Sequence, residues 1–293
     1  MKLRFFLLPV LLLPFLVPGC SYFLVKTSKI LKPDEKPLPT LTASKAELIR
    51  RYNTISNATQ TMNMKVDFRL TGQDGKAKSN DKEFQYYITD AYILVKRPSQ
   101  IRIIGLLYKI TAFDMVSGGT DFSIFVPKKN KLFFGPSNQK IGKVQDFSIN
   151  LRPQHIFQAL AMNPLLPEQD QDLLVEGDQE GRKSYYILYF IRRQASGFGF
   201  DRKIWFDRFD LNMVRQKFFG PTGQMESDIF YSDFRVIEGN SFPGQIIIRR
   251  PEDNFSLEIK VQSNKLNSVI EDSRFVLNLP VGVEKVPLKP AEE

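Results

Sequence analysis

Few side chains in this 293-residue chain could do covalent or metal chemistry: it has one cysteine, Cys20, and one histidine, His155. A zinc or iron centre built on Cys and His draws on three or four such ligands, so this pair does not make one. A Ser-His-Asp arrangement would have to use His155, and no Gly-x-Ser-x-Gly elbow is present. The stretch "SGFGFD" carries Gly197 and Gly199 without the spacing of a dinucleotide-binding loop and reads as a turn. Acidic residues gather in "PDE", "DKE" and "PED", which read as solvated loops. His155, beside "RPQH", is expected at a surface or at a helix start. No catalytic residue, metal or cofactor is expected. The reactive group that remains is the thiol of Cys20.

Its setting says what it is for. Lys2 and Arg4 precede an apolar run from Phe5 to Val17, broken only by Pro9 and Pro14, and Gly19 stands before the cysteine. The run is too short to cross about 30 Å of hydrocarbon, which takes roughly 20 helical residues, so residues 1–19 read as a signal peptide. Val17-Pro18-Gly19-Cys20 resembles the bacterial lipobox, with Val17 and Gly19 in pattern and Pro18 an unusual choice. That resemblance implies a diacylglyceryl group on the Cys20 sulfur, cleavage between Gly19 and Cys20, and acylation of the new amine. The alternative is an ordinary secretory peptide with an incidental cysteine. A lone cysteine closes no intramolecular disulfide, and lipidation leaves no stray thiol on an exported protein. Each buried CH₂ contributes about 0.8 kcal/mol, so two or three chains anchor durably where one does not. Ser21, where an Asp would imply inner-membrane retention, points to the periplasmic face of the outer membrane.

Residues 20–41 then form a tether. "KTSKILKPDEKPLPTL" is rich in Lys and holds Pro33, Pro37 and Pro39, which oppose regular structure. Tyr22 to Val25 follow the anchor and are expected at the lipid interface. Residues 42–293 are expected to form one domain, since no second linker of this composition follows. The net charge is +9, or +7 once Lys2 and Arg4 are removed, which favours anionic surfaces such as lipid headgroups. Lys and Arg are scattered rather than striped, and with export this argues against nucleic acid.

The elements follow from periodicity. "SKAELIRRYNTI" opens with Ser44 and Glu47 in capping-box spacing and predicts a helix over about 44–58. "MNMKVDFRLT" alternates strictly from Met62 to Leu70 and predicts a strand with one buried face. Strand-like segments continue over 84–96, 100–106, 109–117, 120–126 and 131–135. They resume over 184–193, 202–207, 213–219, 224–237, 244–250 and 254–265. Between the two runs, Pro153 opens a short helix with Ile156, Phe157, Leu160 and Ala161 on one face. This order describes a curved antiparallel meander around a helix, not a βαβ enzyme. "SYYILYFI", 184–191, is apolar on both faces. Either it is a central strand covered by the interruption helix, or it lines a hollow that takes lipid.

Three stretches resemble the LolA/LolB-like lipoprotein carriers of the bacterial envelope. The first is "RPSQIRIIGLLYKITAFDMVSGGTDFSIFVPKKNKLFFG"; the second is "KIWFDRFDLNMVRQKFFGPTGQMESDIFYSDF"; the third is "FPGQIIIRRPEDNFSLEIKVQSNKLNSVIEDSRFVLNLP". The resemblance implies a mainly β (α+β) fold, an open antiparallel half-barrel of about eleven strands with helices covering the concave face. It implies a hollow for acyl chains or lipidated cargo, with Tyr185, Ile187, Tyr189, Phe157 and Leu160 as candidate lining. It also implies a membrane-contact loop, to which Leu106, Leu107 and Tyr108 correspond; the alternative there is a buried continuation of the strand. The longer C-terminal half and the Lys/Pro tether depart from the LolB pattern. Two functions fit: a membrane-anchored module that binds acyl chains or lipoprotein cargo, and a non-catalytic accessory that docks an envelope protein. The 25 Phe residues would line the hollow in the first and fill it in the second.

Overall fold

Strict alternation makes the centre of the fold. In β1 (Thr61–Gln73) the side chains of Met62, Met64, Val66, Phe68 and Leu70 are all but sealed from solvent. Each such burial contributes about 1.5–3 kcal/mol. Lys65, Asp67 and Arg69 point the other way. The computed structural model describes residues 39–73, 83–137, 152–165, 172–194 and 197–288. Gly19, Cys20 and nearly all of the tether lie outside them.

β1 pairs with β2 (Glu83–Lys96) on one side and with β13 (Phe255–Leu266) on the other. From β2 the chain meanders through β3 (Gln100–Leu107), β4 (Ile110–Ser117), β5 (Asp121–Val126) and β6 (Lys131–Pro136). From the far edge it returns through β7 (Leu173–Glu180), β8 (Lys183–Gln194), β9 (Gly197–Asp207), β10 (Met213–Phe219), β11 (Met225–Ile237) and β12 (Asn240–Arg250) to β13. The result is one fourteen-stranded sheet in the order β14-β6-β5-β4-β3-β2-β1-β13-β12-β11-β10-β9-β8-β7. Two edges remain, so this is an open half-barrel rather than a closed barrel. It has more strands than the eleven that the resemblance implied.

Among the described residues two α-helices cover one face, which we call the inner face. In α1 (Lys45–Asn57) the Ser44 Oγ accepts from the backbone N–H of Glu47 at 3.2 Å, the expected cap. Its buried residues Leu48, Tyr52 and Ser56 recur every four positions, one stripe turned to the sheet. α2 (Pro153–Leu160) has Pro153 in its first turn and buries Ile156, Phe157, Ala159 and Leu160 against β3, β4 and β12.

The C-terminal stretch uses the outer face of the N-terminal half. After β13 it crosses β2 and β3, where Leu94, Ile270 and Phe275 form a small second core. Lys96 Nζ donates to the Ile270 carbonyl at 3.2 Å, and Arg102 Nη1 to the Arg274 carbonyl at 2.8 Å. The chain then adds β14 (Glu284–Pro287) parallel to β6, the one parallel pair in the described sheet.

Candidate functional site

The inner face is packed by side chains from both halves of the sheet and from both helices, forming one continuous apolar cluster. A cavity of about 350 Å³ remains at one end, between α1, the end of α2 and β10–β13. Ile55, Leu160, Met213, Tyr231, Phe234 and Phe242 give it apolar walls. Glu47, Arg50 and Arg51 stand at its rim, where Glu47 pairs with both arginines and its carboxyl is held below the usual range by them. An apolar interior with a charged rim suits a chain with a polar head.

A set of buried hydrogen bonds beside this space holds the helices to the sheet and to the 161–165 segment. Tyr52 Oη donates to the Asn163 carbonyl at 3.0 Å and accepts from Arg202 Nη1 at 2.7 Å. Asn53 makes two bonds to Leu165, accepting from its N–H at 2.7 Å and donating to its carbonyl at 3.0 Å. Ser56 Oγ donates to the Met162 carbonyl at 2.5 Å, and the Arg97 guanidinium reaches the same carbonyl and that of Thr59. Tyr231 Oη donates to the Ala159 carbonyl at 2.9 Å and accepts from Gln216 Nε2 at 2.6 Å. Burial pushes the phenols of Tyr52 and Tyr231 up from their ordinary value, and both are neutral donors at physiological pH. Sequence reasoning missed Arg97, Arg202 and Gln216, because a polar side chain at an inward position carries no mark in the sequence.

The structure splits the lining residues expected from sequence. Leu160 lines the cavity, and Phe157 is buried in the core beside it. The register puts Tyr185, Ile187 and Tyr189 on the outer face instead; the inward positions of β8 are Tyr186, Leu188 and Phe190. β8 is also not central but next to the edge strand β7, and its inner face meets α1, with the Tyr52 and Phe190 rings 6.5 Å apart. On its outer face Tyr189 stacks with a cation. Lys203 lies 4.8 Å from the Tyr189 ring centre and 4.2 Å from that of Phe200.

Leu106, Leu107 and Tyr108 end β3 and turn into β4. Leu106 is half-buried, whereas Leu107, Tyr108 and Ile110 are 48, 89 and 72% exposed. The two turn residues, Tyr108 and Lys109, have φ of 51° and 65°. A two-residue hairpin with both φ positive favours Asn-Gly, and a tyrosine there is costly. Behind the turn, a Cβ on Gly105 would lie 2.3 Å from Phe113 Cε1, so glycine lets that ring lie across β3.

His155 sits in the first turn of α2 with Nδ1 buried and without a hydrogen-bond partner. Burial, with Arg250 and Arg152 nearby, drives its pKa down to about 3. Asp253 pairs with both arginines, at 3.1 Å from Arg152 and 3.3 Å from Arg250. Among the described residues no group of three or more His, Cys, Asp or Glu side chains could hold a metal ion, and no helix is long and apolar enough to cross a membrane.

No protein-family model matches the chain, and no curated protein matches it. Among solved structures, the chain resembles a LolA superfamily protein, NE2245, from Nitrosomonas europaea, at 13% identity and TM-score 0.48, over 80% of this chain and 99% of that one. It is similar in fold to a DUF1329 family protein from Desulfovibrio piger ATCC 29098, with 13% identity and TM-score 0.50, over 78% of this chain and 94% of that one.

Proposed function

We propose that this chain is a lipid-anchored protein of the bacterial envelope that holds acyl chains, free or on lipoprotein cargo, between its helices and the inner face of its sheet. The observation that carries this reading is the largely apolar cavity of about 350 Å³ along the flank of α1, open at a charged rim. Its size is near the lower end of the ~300–1,000 Å³ range of ligand pockets, enough for part of one chain. Separating α1 from the 161–165 segment, which breaks the bonds made by Tyr52, Asn53 and Ser56, would open further room beside the cavity. Binding is apolar burial, about 25 cal/mol per Å², with no covalent step.

Cys20 supplies the membrane anchor, on the lipobox resemblance, and the periplasmic face of the outer membrane is the place that Ser21 favours. The hairpin of Leu107, Tyr108 and Ile110 meets the membrane: it exposes three large apolar side chains around a turn that holds Tyr108 in a left-handed conformation. Native mass spectrometry of the protein made without residues 1–38 tests the central claim. Co-purified lipid supports the carrier, and a lipid-free mass in every preparation goes against it.

A second reading has its own observation. Most of the inner face is filled by the protein's own side chains, from Met62 on β1 to Phe206 on β9. A filled hollow suits an accessory lipoprotein that docks an envelope protein and carries nothing.

A further inference from the structure

The hairpin at Tyr108 is not alone at its end of the sheet. Leu107 pairs with Ile110 where β3 turns into β4. Following the register across the sheet, the same end holds Gly72 opposite Phe255, Arg250 opposite Phe255, Phe219 opposite Met225, and Gln194 opposite Gly197. Phe198 and Phe200, at the start of β9, therefore share an end with Leu107, Tyr108 and Ile110. Phe198 is 78% exposed and Phe200 42%. The Phe200 ring lies 5.6 Å from that of Tyr189 and 6.1 Å from that of Phe219, with Lys203 Nζ over all three. Arg192 and Arg193 border the patch, paired with Asp201 and Asp172. Exposed aromatic rings with cations at their margin are what a bilayer interface selects.

We propose that the start of β9 is a second membrane-contact element, which seats Phe198 and Phe200 among phospholipid headgroups while the Tyr108 hairpin makes the first contact. The proposal rests on the reading of Cys20 as a lipid anchor. The chain outside the described residues is what identifies the occupant. Leu41, where the tether joins the fold, is bonded to Arg208 at the opposite end of the sheet, its N–H donating to the Arg208 carbonyl at 2.6 Å. A strand of thirteen residues such as β1 spans about 43 Å. The roughly 20 residues between Cys20 and Leu41 reach about 70 Å when extended. The tether is thus long enough to run the length of the sheet and set its acyl chains in the bilayer that both tips touch. Two contacts at one end also fix orientation. The cavity then opens away from the membrane, on the side where Ser241 Oγ and Asn212 Oδ1 are 3.0 Å apart.

The test uses the full lipidated chain on phosphatidylcholine vesicles with and without phosphatidylglycerol. Acylated Cys20 leaves no free thiol, so Phe198→Cys, Tyr108→Cys and Phe209→Cys each take one bimane label, and spin-labelled lipid serves as quencher. Phe209 is an exposed control in the turn after β9, at the opposite end. The expected result is quenching several-fold stronger at positions 198 and 108 than at 209, with the phosphatidylglycerol arm raising it at 198. Quenching at 198 no stronger than at 209, on protein that stays with the vesicles, overturns the proposal and leaves the patch to a protein partner. Protein that does not stay with the vesicles removes the anchor reading and this proposal with it. Acyl-chain binding by the cavity is unaffected by either outcome, which separates this test from that of the carrier.

Discussion

Arg202 and Tyr52 meet in the apolar interior: the guanidinium donates to the phenol oxygen at 2.7 Å and lies 5.4 Å from the ring centre. Phe190 and Phe218 flank the same guanidinium, at 4.1 and 5.7 Å. One cation, enclosed by rings, thereby fastens α1 to the C-terminal half of the sheet. Tyr52→Phe keeps the ring but removes the acceptor for Arg202 and the donor to Asn163. We expect a loss of about 1–3 kcal/mol in urea unfolding, the cost of buried polar groups left without partners. An unchanged midpoint would show that the pair does not hold the helix.

The Tyr108 hairpin sets membrane contact against stability. Tyr108→Asn with Lys109→Gly supplies the residues that a turn with two positive φ angles prefers. The double variant should be more stable by about 1 kcal/mol, since a left-handed conformation costs an ordinary residue that much, and should bind vesicles less well. Leu107→Glu should weaken vesicle binding without a large fall in melting temperature, because that side chain is already half exposed. A large fall would mean that the strand end is core.

Gly105→Ala probes the packing behind that hairpin. The added methyl would overlap the Phe113 ring at 2.3 Å, so the ring has to move. Overpacking of this kind costs about 1–3 kcal/mol, to be read from thermal or urea unfolding. Gly105→Ala with Phe113→Leu should recover part of the loss.

His155 gives the stability a pH dependence of known sign. Its folded pKa, about 3, lies below the unfolded value of about 6.5. The unfolded chain therefore binds more protons between those values, and stability present above pH 6.5 is lost as pH falls toward 3. His155→Gln lacks this proton uptake. Unfolding free energies of the two proteins, measured at a series of pH values, should show the wild type losing stability relative to the variant as pH falls from 6.5 toward 3. Parallel profiles would contradict the assignment.

How much of this was legible depended on which faces were apolar. β1 and β13 alternate cleanly and were placed from sequence; Ser44 and Pro153 marked both helix starts. β8 did not reveal which way it faced, because Tyr185, Ile187 and Tyr189 are apolar or aromatic on the outside, where Tyr189 meets a ring and a cation, while Tyr186, Leu188 and Phe190 meet core inside. β7 escaped notice because an edge strand with little to bury, "LLVEGDQE", needs no alternation, and β14, "EKVP", is held by its backbone pairing with β6. The cavity arises where α1, α2 and four strands converge, a juxtaposition that no local pattern encodes.

The most direct measurement is titration of the protein lacking residues 1–38 with a fluorescent fatty-acyl probe, beside Leu160→Trp. Leu160 is 6% exposed and lines the cavity, so a larger ring at that position fills the space. Saturable binding is expected, little changed by salt because apolar burial drives it, and abolished in a folded Leu160→Trp protein. Absence of saturable binding at micromolar probe, or binding that Leu160→Trp leaves intact, would contradict the carrier reading.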